Sequence, residues 1–543
     1  MLLPDAALLA ELSGYAHDLG KGNVRFQKKL RGEVEASDAI RHETLSAWIL
    51  DAMRATGSPF CPESLLNAWK QIAGTLPKDR ERIPFGDTMA SAMDVVLWSV
   101  LTHHGALGGK LGNPHAVRLR PHAEVPWDPE NLLLKGSPFS DDTHDASRWH
   151  DLLDAMERIR LRTENLDQPP SYWEAVLWIT RAALILADHR ISSQTFLGER
   201  GTIQVFANTK PREVSPEKKS HRGKPRKAAK EPQRYLDQPL SWHLTEVGKL
   251  AKEYVRLFSF DDLPSLSETT VEAILAQRAS SKDSRFYWQD LAVDAVRDLP
   301  GSTLVFNIAS TGAGKTLGNL KIACALRPDH QRLAVAFNLR TLTTQTYRAY
   351  AEHVRVPDPA GFRRDFACLL GERNGLPQDF SLEDEDDVNQ EEELDITGAE
   401  LALPSWLSSL ATHLPSKTLA KLVAAPVLVS TIDWIVAAGE PGEQARHAQA
   451  LLRVCSSDLI LDEVDSYDAK AAVAVMRVIQ TAAMYNRNVI VSSATLNPVL
   501  AQGIVEAFVA GQRMYAAASG NAKWHMALVS DVLPPVVAQP ESA

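Results

Sequence analysis

STLVFNI, from Ser302 to Ile308, runs directly into ASTGAGKTLGNLKIACAL, from Ala309 to Leu326, and this junction decides how the C-terminal part of the chain folds. A short run rich in β-branched and apolar side chains reads as a buried strand, and the small-residue loop after it opens a helix. Strand, glycine-rich loop and helix in that order form a P-loop. Gly312 and Gly314 let the backbone curl so that its N–H groups face a β-phosphate. Lys315 reaches the β/γ oxygens, and the Thr316 hydroxyl can ligate Mg²⁺ at the helix N-terminus. Ala309 stands where the general pattern has Gly, which narrows the type of loop without changing its chemistry. The cofactors implied are ATP and Mg²⁺.

Further strands flank this junction: RLAVAF (332–337), APVLVS (425–430), DLILD (458–462) and NVIVSS (488–493). Near-continuous apolar strands of this length, alternating with helices, are what a parallel sheet covered on both faces requires. The C-terminal part is therefore expected to be α/β. One strand ends in Asp462 and Glu463, placed to hold Mg²⁺ and to polarise the water that attacks a γ-phosphate. Arg340 to Gln345 and Ser430 to Asp433 are expected as loops at carboxyl strand ends, where hydroxyls and an Arg can hold the phosphates of a single strand. An acidic run, Glu383 to Asp395, reads as an exposed loop.

Residues 1 to about 200 read differently, as helix after helix with apolar spacings of three and four, for example Met89 to Leu101 and Tyr172 to Leu186. This all-α region carries His17-Asp18 with Lys21 close behind, then His42, then His103-His104, then Asp188 at the end of an apolar helix. One His in a helix is usually an ordinary polar residue. A set drawn from four helices can converge, and imidazole with carboxylate suits Mn, Fe, Co, Ni or Zn better than Ca. Two such ions sharing an Asp can activate water and stabilise a phosphodiester leaving oxygen. His115, His122, His144 and His150 lie in a Pro- and Asp-rich stretch and are read as surface residues.

Composition bounds these readings. The chain has 543 residues, 45% hydrophobic and 23% charged, the balance of an ordinary globular protein. No apolar run approaches the roughly 20 residues of a membrane span, and MLLPDAALLAELSG lacks the basic flank of a secretion signal, so a cytoplasmic protein with no membrane contact is expected. Four scattered cysteines make no C-x-x-C pair and read as buried small hydrophobes. A net charge of −10 means that any nucleic-acid affinity resides in local patches. Lys210 to Arg234, rich in Lys, Arg and Pro, reads as a solvated linker or insertion, with guidance of DNA as the alternative.

Ser493-Ala494-Thr495 resembles the turn that couples nucleotide state to strand movement in superfamily 2 helicases, and Phe286-Tyr287-Trp288-Gln289 resembles their Q motif, in which Gln289 would read adenine. With HDLGKxNxxFQ, RHE, THH, LADHRxS, LRTLTTQT and STIDW in this order, the chain resembles the HD nuclease-helicases of type I CRISPR interference, closest to the type I-F branch. The resemblance implies a multidomain fold: an all-α HD-type metal phosphohydrolase domain (1–205), a basic linker (206–240), a first RecA-like lobe with a mainly parallel sheet (241–520, acidic insertion about 375–400) and a tail (521–543). It implies that His17, Asp18, His42, His103, His104 and Asp188 are metal ligands with Asp18 the bridge, and that Lys21 contacts phosphate. Lys315, Thr316, Asp462 and Glu463 become the ATP and Mg²⁺ residues. The implied activity is cleavage of single-stranded DNA at a divalent transition metal centre (Mn, Ni, Co or Fe), with 3′ to 5′ unwinding of a target opened by the RNA-guided Cascade complex; adaptation integrase proteins are further implied partners.

Two departures from the family pattern stand out. No histidine precedes His17 to supply a further ligand, so one ion is expected to be a ligand short or to use a substitute. After Thr495 only 48 residues remain, too few for a second RecA-like lobe of more than about 100 residues, so a truncated or split version is expected. The alternatives are a non-cutting Cascade-binding or regulatory component, and an HD nucleotide phosphohydrolase with an ATP-sensing lobe.

Overall fold

A computed structural model describes residues 2–34, 40–75, 89–104, 129–211, 234–258, 260, 262–338, 340–354, 362, 364–370, 395–398, 404, 407–408, 422–439, 444–520 and 523–540. The chain forms two compact units, Leu3–Arg256 and, with the first two residues, Leu257–Ala543. The acidic run up to Glu393, the interior of the basic stretch (212–233), and His115 and His122 lie outside the described residues. His144 and His150 are exposed, as expected of surface residues.

The first unit is helical: α1 (Leu2–Ala16), α2 (Val24–Leu30), α3 (His42–Thr56), α4 (Pro62–Thr75), α5 (Ala92–Thr102), α6 (Pro129–Leu132), α7 (Ala146–Thr163), α8 (Pro170–Ser193) and α9 (Leu240–Leu257). Helix α8 begins at a proline, whose fixed φ suits a first helical position, and buries residues around almost its whole circumference, from Tyr172 through Ile191. A helix apolar all round belongs at the centre of a core. α5 packs against α8 and α3. A short antiparallel ribbon, β1 (Thr209–Pro211) with β2 (Arg234–Leu236), stands between α8 and α9.

Helix α9 corrects the expected boundary. Residues 241–256 belong to the first unit, not to the second. The reason lies in the stripe Leu240, Leu244, Val247 and Ala251, which is fully buried, with Lys252 paired to Glu11 of α1 and Ser241 donating to Asp145 at the start of α7.

The second unit carries a nine-stranded sheet in the order β11-β10-β3-β9-β8-β4-β7-β5-β6. Its strands are β3 (Ser302–Ile308), β4 (Leu333–Phe337), β5 (Phe366–Leu370), β6 (Asp395–Gly398), β7 (Val427–Thr431), β8 (Asp458–Asp462), β9 (Val489–Ser493), β10 (Trp524–Val529) and β11 (Val536–Ala538). All neighbours from β10 to β5 are parallel, and β11 and β6 pair antiparallel at the two edges. Side chains alternate between two cores. Leu304, Phe306, Leu459, Leu461, Val489 and Val491 enter one, while Val305, Ile460 and Ile490 enter the other. Both faces are covered, which is why the strands read as unbroken apolar runs.

The stretch expected as a tail instead supplies β10, paired in register with β3 from Trp524↔Ser302 to Val529↔Asn307. WHMALV is short and ends in a turn-rich segment, so only its partner strand distinguishes it from a loop. Cys324, Cys368 and Cys455 are buried thiols and Cys61 is partly exposed. Among the described residues no helix is long and apolar enough to cross a membrane.

Candidate metal centre and nucleotide site

In the first unit the predicted histidines and aspartates meet. His17 and Asp18 follow the end of α1, His42 opens α3, His103 and His104 follow α5, and Asp188 lies in the last turns of α8. Two groups form, Asp18–His42–His103–His104 and His17–Asp18–Asp188–His243, each offering ligand atoms within 4.8 Å of one another. Asp18 belongs to both and divides its oxygens between them. Its Oδ1 lies 3.2 Å from His42 Nε2 and 3.7 Å from His103 Nε2; its Oδ2 lies 3.2 Å from His17 Nε2 and 3.5 Å from His243 Nε2. Asp188 Oδ1 stands 3.3 Å from His243 Nε2 and 3.7 Å from His17 Nε2.

Three imidazoles are oriented from behind. His17 Nδ1 meets Gly14 O at 2.8 Å, His103 Nδ1 meets Val100 O at 2.6 Å, and His243 Nδ1 meets Gln238 Oε1 at 2.9 Å. A carbonyl accepts only, so each ring donates through Nδ1 and turns Nε2 toward the carboxylates, the orientation that metal-ligating histidines use. Arg181 of α8, 2% exposed, donates to Thr102 O at 2.7 Å and so ties the end of α5, just before His103, to the central helix. Lys21 Nζ pairs with Asp18 Oδ2 at 2.7 Å.

The electrostatics fit a cation. His17 Nε2, Asp18 Oδ1, His103 Nε2 and His243 Nε2 are buried without a hydrogen-bond partner, and Asp18 Oδ2 has the ammonium of Lys21 beside it. Orphaned buried acceptors are costly, and several converging on one place mark a site that a divalent ion satisfies. Burial pushes the His17 imidazole down, yet the carboxylates of Asp18 and Asp188 outweigh it, and its pKa is raised to about 10. Burial also pushes Asp18 and Asp188 up, but the surrounding imidazoles, with Lys21 for Asp18, hold both well below the usual carboxylate range. His104 is pushed well below the ordinary value by burial and then by His103 and His42.

The sequence reading missed His243. It comes from α9, placed by that reading in the other domain, and its Nε2 stands beside Asp18 and Asp188, where it could supply the ligand that no histidine before His17 offers. A signal was present: Leu240, His243, Leu244, Val247 and Ala251 recur at helical spacing, so the imidazole falls within an apolar stripe.

In the second unit β3 leads into the P-loop. Gly312 and Gly314 adopt φ of 79° and 84°, and a Cβ on Gly314 would stand 2.8 Å from Gln289 Nε2. Lys315 opens the helix Lys315–Leu326 with its Nζ 3.2 Å from Ala309 O and 3.8 Å from Glu463 Oε1. Thr316 follows in the first turn, half-buried. Asp462 ends β8, buried, and accepts from the Glu463 backbone N–H at 3.0 Å; Glu463 adopts φ 55°. A non-glycine residue held in left-handed backbone is a strained position of the kind that functional sites use. Thr495 donates to Asp465 Oδ2 at 2.7 Å, joining the Ser493-Ala494-Thr495 turn to the turn after Glu463.

Gln289, expected to read adenine, lies beneath the P-loop. It is 2% exposed, and its amide donates to Gly314 O at 3.0 Å while accepting from Lys321 Nζ at 3.2 Å. It braces the P-loop from beneath. The expected phosphate-holding loops also differ. Arg340–Gln345 lies in the first turns of the helix Arg340–His353 with Thr343 buried, and Ser430 and Thr431 are buried in β7.

Residues 4–197 match the family model described as Cas3, HD domain. The chain is 30% identical to the CRISPR-associated nuclease/helicase Cas3 subtype I-F/YPEST of Pseudomonas aeruginosa, over 94% of this chain and 48% of that protein. It is 27% identical to the protein of the same description from Pectobacterium atrosepticum, over 95% and 49%. Among solved structures, T. fusca Cas3 with ATP is similar at 15% identity and a TM-score of 0.40, covering 94% of this chain and 50% of that one. The chain thus spans about half the length of the curated relatives it matches. Residues 4–197 match the Cas3-type HD domain, and the chain as a whole is similar to the subtype I-F Cas3 nuclease-helicases over about half of their length.

Proposed function

We propose that the chain acts in CRISPR interference by hydrolysing phosphodiester bonds of single-stranded DNA at the paired His/Asp clusters, and that its second unit binds and hydrolyses ATP with Mg²⁺. The observation that carries the nuclease reading is Asp18, whose two buried oxygens face two separate sets of imidazoles. His42, His103 and His104 would hold one divalent transition ion (Mn, Ni, Co or Fe) and His17, Asp188 and His243 the other, with Asp18 between them. When bound, such a pair supplies Lewis acidity toward the phosphate and water of lowered pKa. The chain's own residues do the rest. Asp18 fixes the spacing of the two sets, the carbonyls behind His17 and His103 hold the rings in one tautomer, and Lys21, 13% exposed at its side chain, supplies positive charge for a flanking phosphate.

In the second unit the backbone N–H groups from Gly312 to Thr316 and the Lys315 ammonium receive the phosphates, the Thr316 hydroxyl and Asp462 hold Mg²⁺, and Glu463 orients water. Thr495 and Asp465 give the Ser493–Thr495 turn a direct hydrogen bond to the Glu463 turn, which supports a link between nucleotide state and the sheet. By family, 3′ to 5′ unwinding, a Cascade-type complex, adaptation integrase proteins and a cytoplasmic setting complete the proposal.

The test uses purified protein with Mn²⁺ or Ni²⁺ and circular single-stranded DNA. Conversion of the circle to shorter products by the wild type, with Asp18→Ala leaving it intact, is the expected result. A circle equally intact with both proteins overturns the reading.

A further inference from the structure

Gln238 lies between the ribbon and α9 and is fully buried. Its Nε2 stands 2.6 Å from both Ile191 O and Gln194 O. Two backbone carbonyls can only accept, so the amide nitrogen must face them and the amide oxygen must face the other way. That oxygen receives Asn208 Nδ2 at 2.9 Å, which agrees with the same orientation, and it lies 2.9 Å from His243 Nδ1. An oxygen that only accepts requires His243 to donate through Nδ1. In the neutral ring the lone pair is then on Nε2, which faces Asp18 and Asp188. Two carbonyls at the end of α8 thus determine, through one amide, which nitrogen of His243 carries a lone pair.

We propose that Gln238 is the positioning residue of the second ion site: it selects the His243 tautomer and, by gripping the end of α8, sets His243 against Asp188 four residues before Ser192. This rests on the two-ion reading above. Among His17, His103 and His243 it is the one place where the orienting acceptor is a side chain, since the other two use Gly14 O and Val100 O, which no substitution removes. Gln238 therefore controls one ion and leaves the other alone.

Two measurements on the full chain test it. The first is calorimetric Mn²⁺ titration of wild type, Gln238→Met and Gln238→Glu. Losing an orienting partner costs roughly 10- to 100-fold in metal affinity, so Gln238→Met is expected to weaken the second ion by that factor with the first unchanged. Gln238→Glu keeps an acceptor for Nδ1 and is expected to retain both ions while melting at lower temperature, because a carboxylate faces the carbonyls of Ile191 and Gln194. A purely structural glutamine would lower the melting temperature in both variants and leave both affinities at the wild-type value, which overturns the proposal. The second measurement needs no variant at Gln238 to fold. In ¹⁵N-histidine-labelled, metal-free protein, with the His243 signal assigned by its loss in His243→Gln, a ring proton is expected on Nδ1 whether or not Nε2 also carries one; a ring protonated on Nε2 alone overturns the proposal. A wild type that takes up no second ion defeats the two-ion reading and leaves the tautomer result standing.

Discussion

Asp18 is the residue on which the proposed chemistry of the first unit turns, because each of its oxygens faces a different set of imidazoles. His17, raised to about 10, holds a proton at neutral pH that an ion must displace. The sign follows directly. A histidine whose folded pKa is raised contributes stability that is complete below its unfolded value near 6.5 and is lost as pH rises through the folded value, while metal binding gains from the same rise. Mn²⁺ affinity is therefore expected to climb between pH 6 and pH 8, with proton release visible by calorimetry in buffers of different ionisation enthalpy; an affinity flat in pH would contradict the assignment of His17. In the second unit Lys315→Ala removes the charge aimed at the phosphates and is expected to lower ATP hydrolysis by about 10²-fold or more, with Mn²⁺ uptake at the Asp18 clusters unchanged. At this scale the sequence was informative where chemistry required adjacent residues. His17-Asp18 and His103-His104 announce themselves, whereas His243 stands alone among apolar neighbours and Gln289 sits in a motif-like string whose burial no string can display.

At the scale of elements, helix α9 is the piece that completes the site. Its backbone comes close to α1, so that a Cβ on Gly248 would stand 2.2 Å from Tyr15 Cδ1 and 2.7 Å from Glu11 O. The contact brings the His17 and His243 rings to 5.4 Å between centroids. Gly248→Ala is expected to destabilise the first unit by about 1–3 kcal/mol, the usual cost of overpacking, and to weaken the ion between His17 and His243 more than the one at His42. Denaturant unfolding and Mn²⁺ titration together check this, and an unchanged midpoint with unchanged affinities would show that the helices are free to separate. Periodicity revealed α9 as a helix but not its allegiance. The basic stretch before it reads as a boundary, while the ribbon Thr209–Pro211 with Arg234–Leu236 carries the chain back to the first unit. The same limit applies to β10: its apolar run is short, and only its parallel register with β3 makes it a strand of the sheet.

For the whole molecule, the division at Leu257 places every proposed metal ligand in one unit and the P-loop, Asp462 and Glu463 in the other. A fragment of residues 1–205 lacks α9 and with it His243, so it is expected to take up one ion where residues 1–256 take up two. Ions that bind only the folded state stabilise it, by about 2.7 kcal/mol for a site at one hundred times its dissociation constant, so Mn²⁺ is expected to raise the melting temperature of the longer fragment more than that of the shorter. The alternation of apolar strands and helices showed the α/β class from sequence because both sheet faces are covered; the ends of that sheet, β5, β6, β10 and β11, were not read from the sequence because short isolated runs become strands only through their pairing partners. The central claim is that two ions share Asp18. It is tested most directly by anomalous diffraction at the manganese edge from crystals of the Mn²⁺-loaded chain. Two peaks are predicted, one among His42, His103, His104 and Asp18 and one among His17, Asp188, His243 and Asp18; a map with no peak at either cluster, or with a lone peak that leaves Asp18 unbridged, would contradict it.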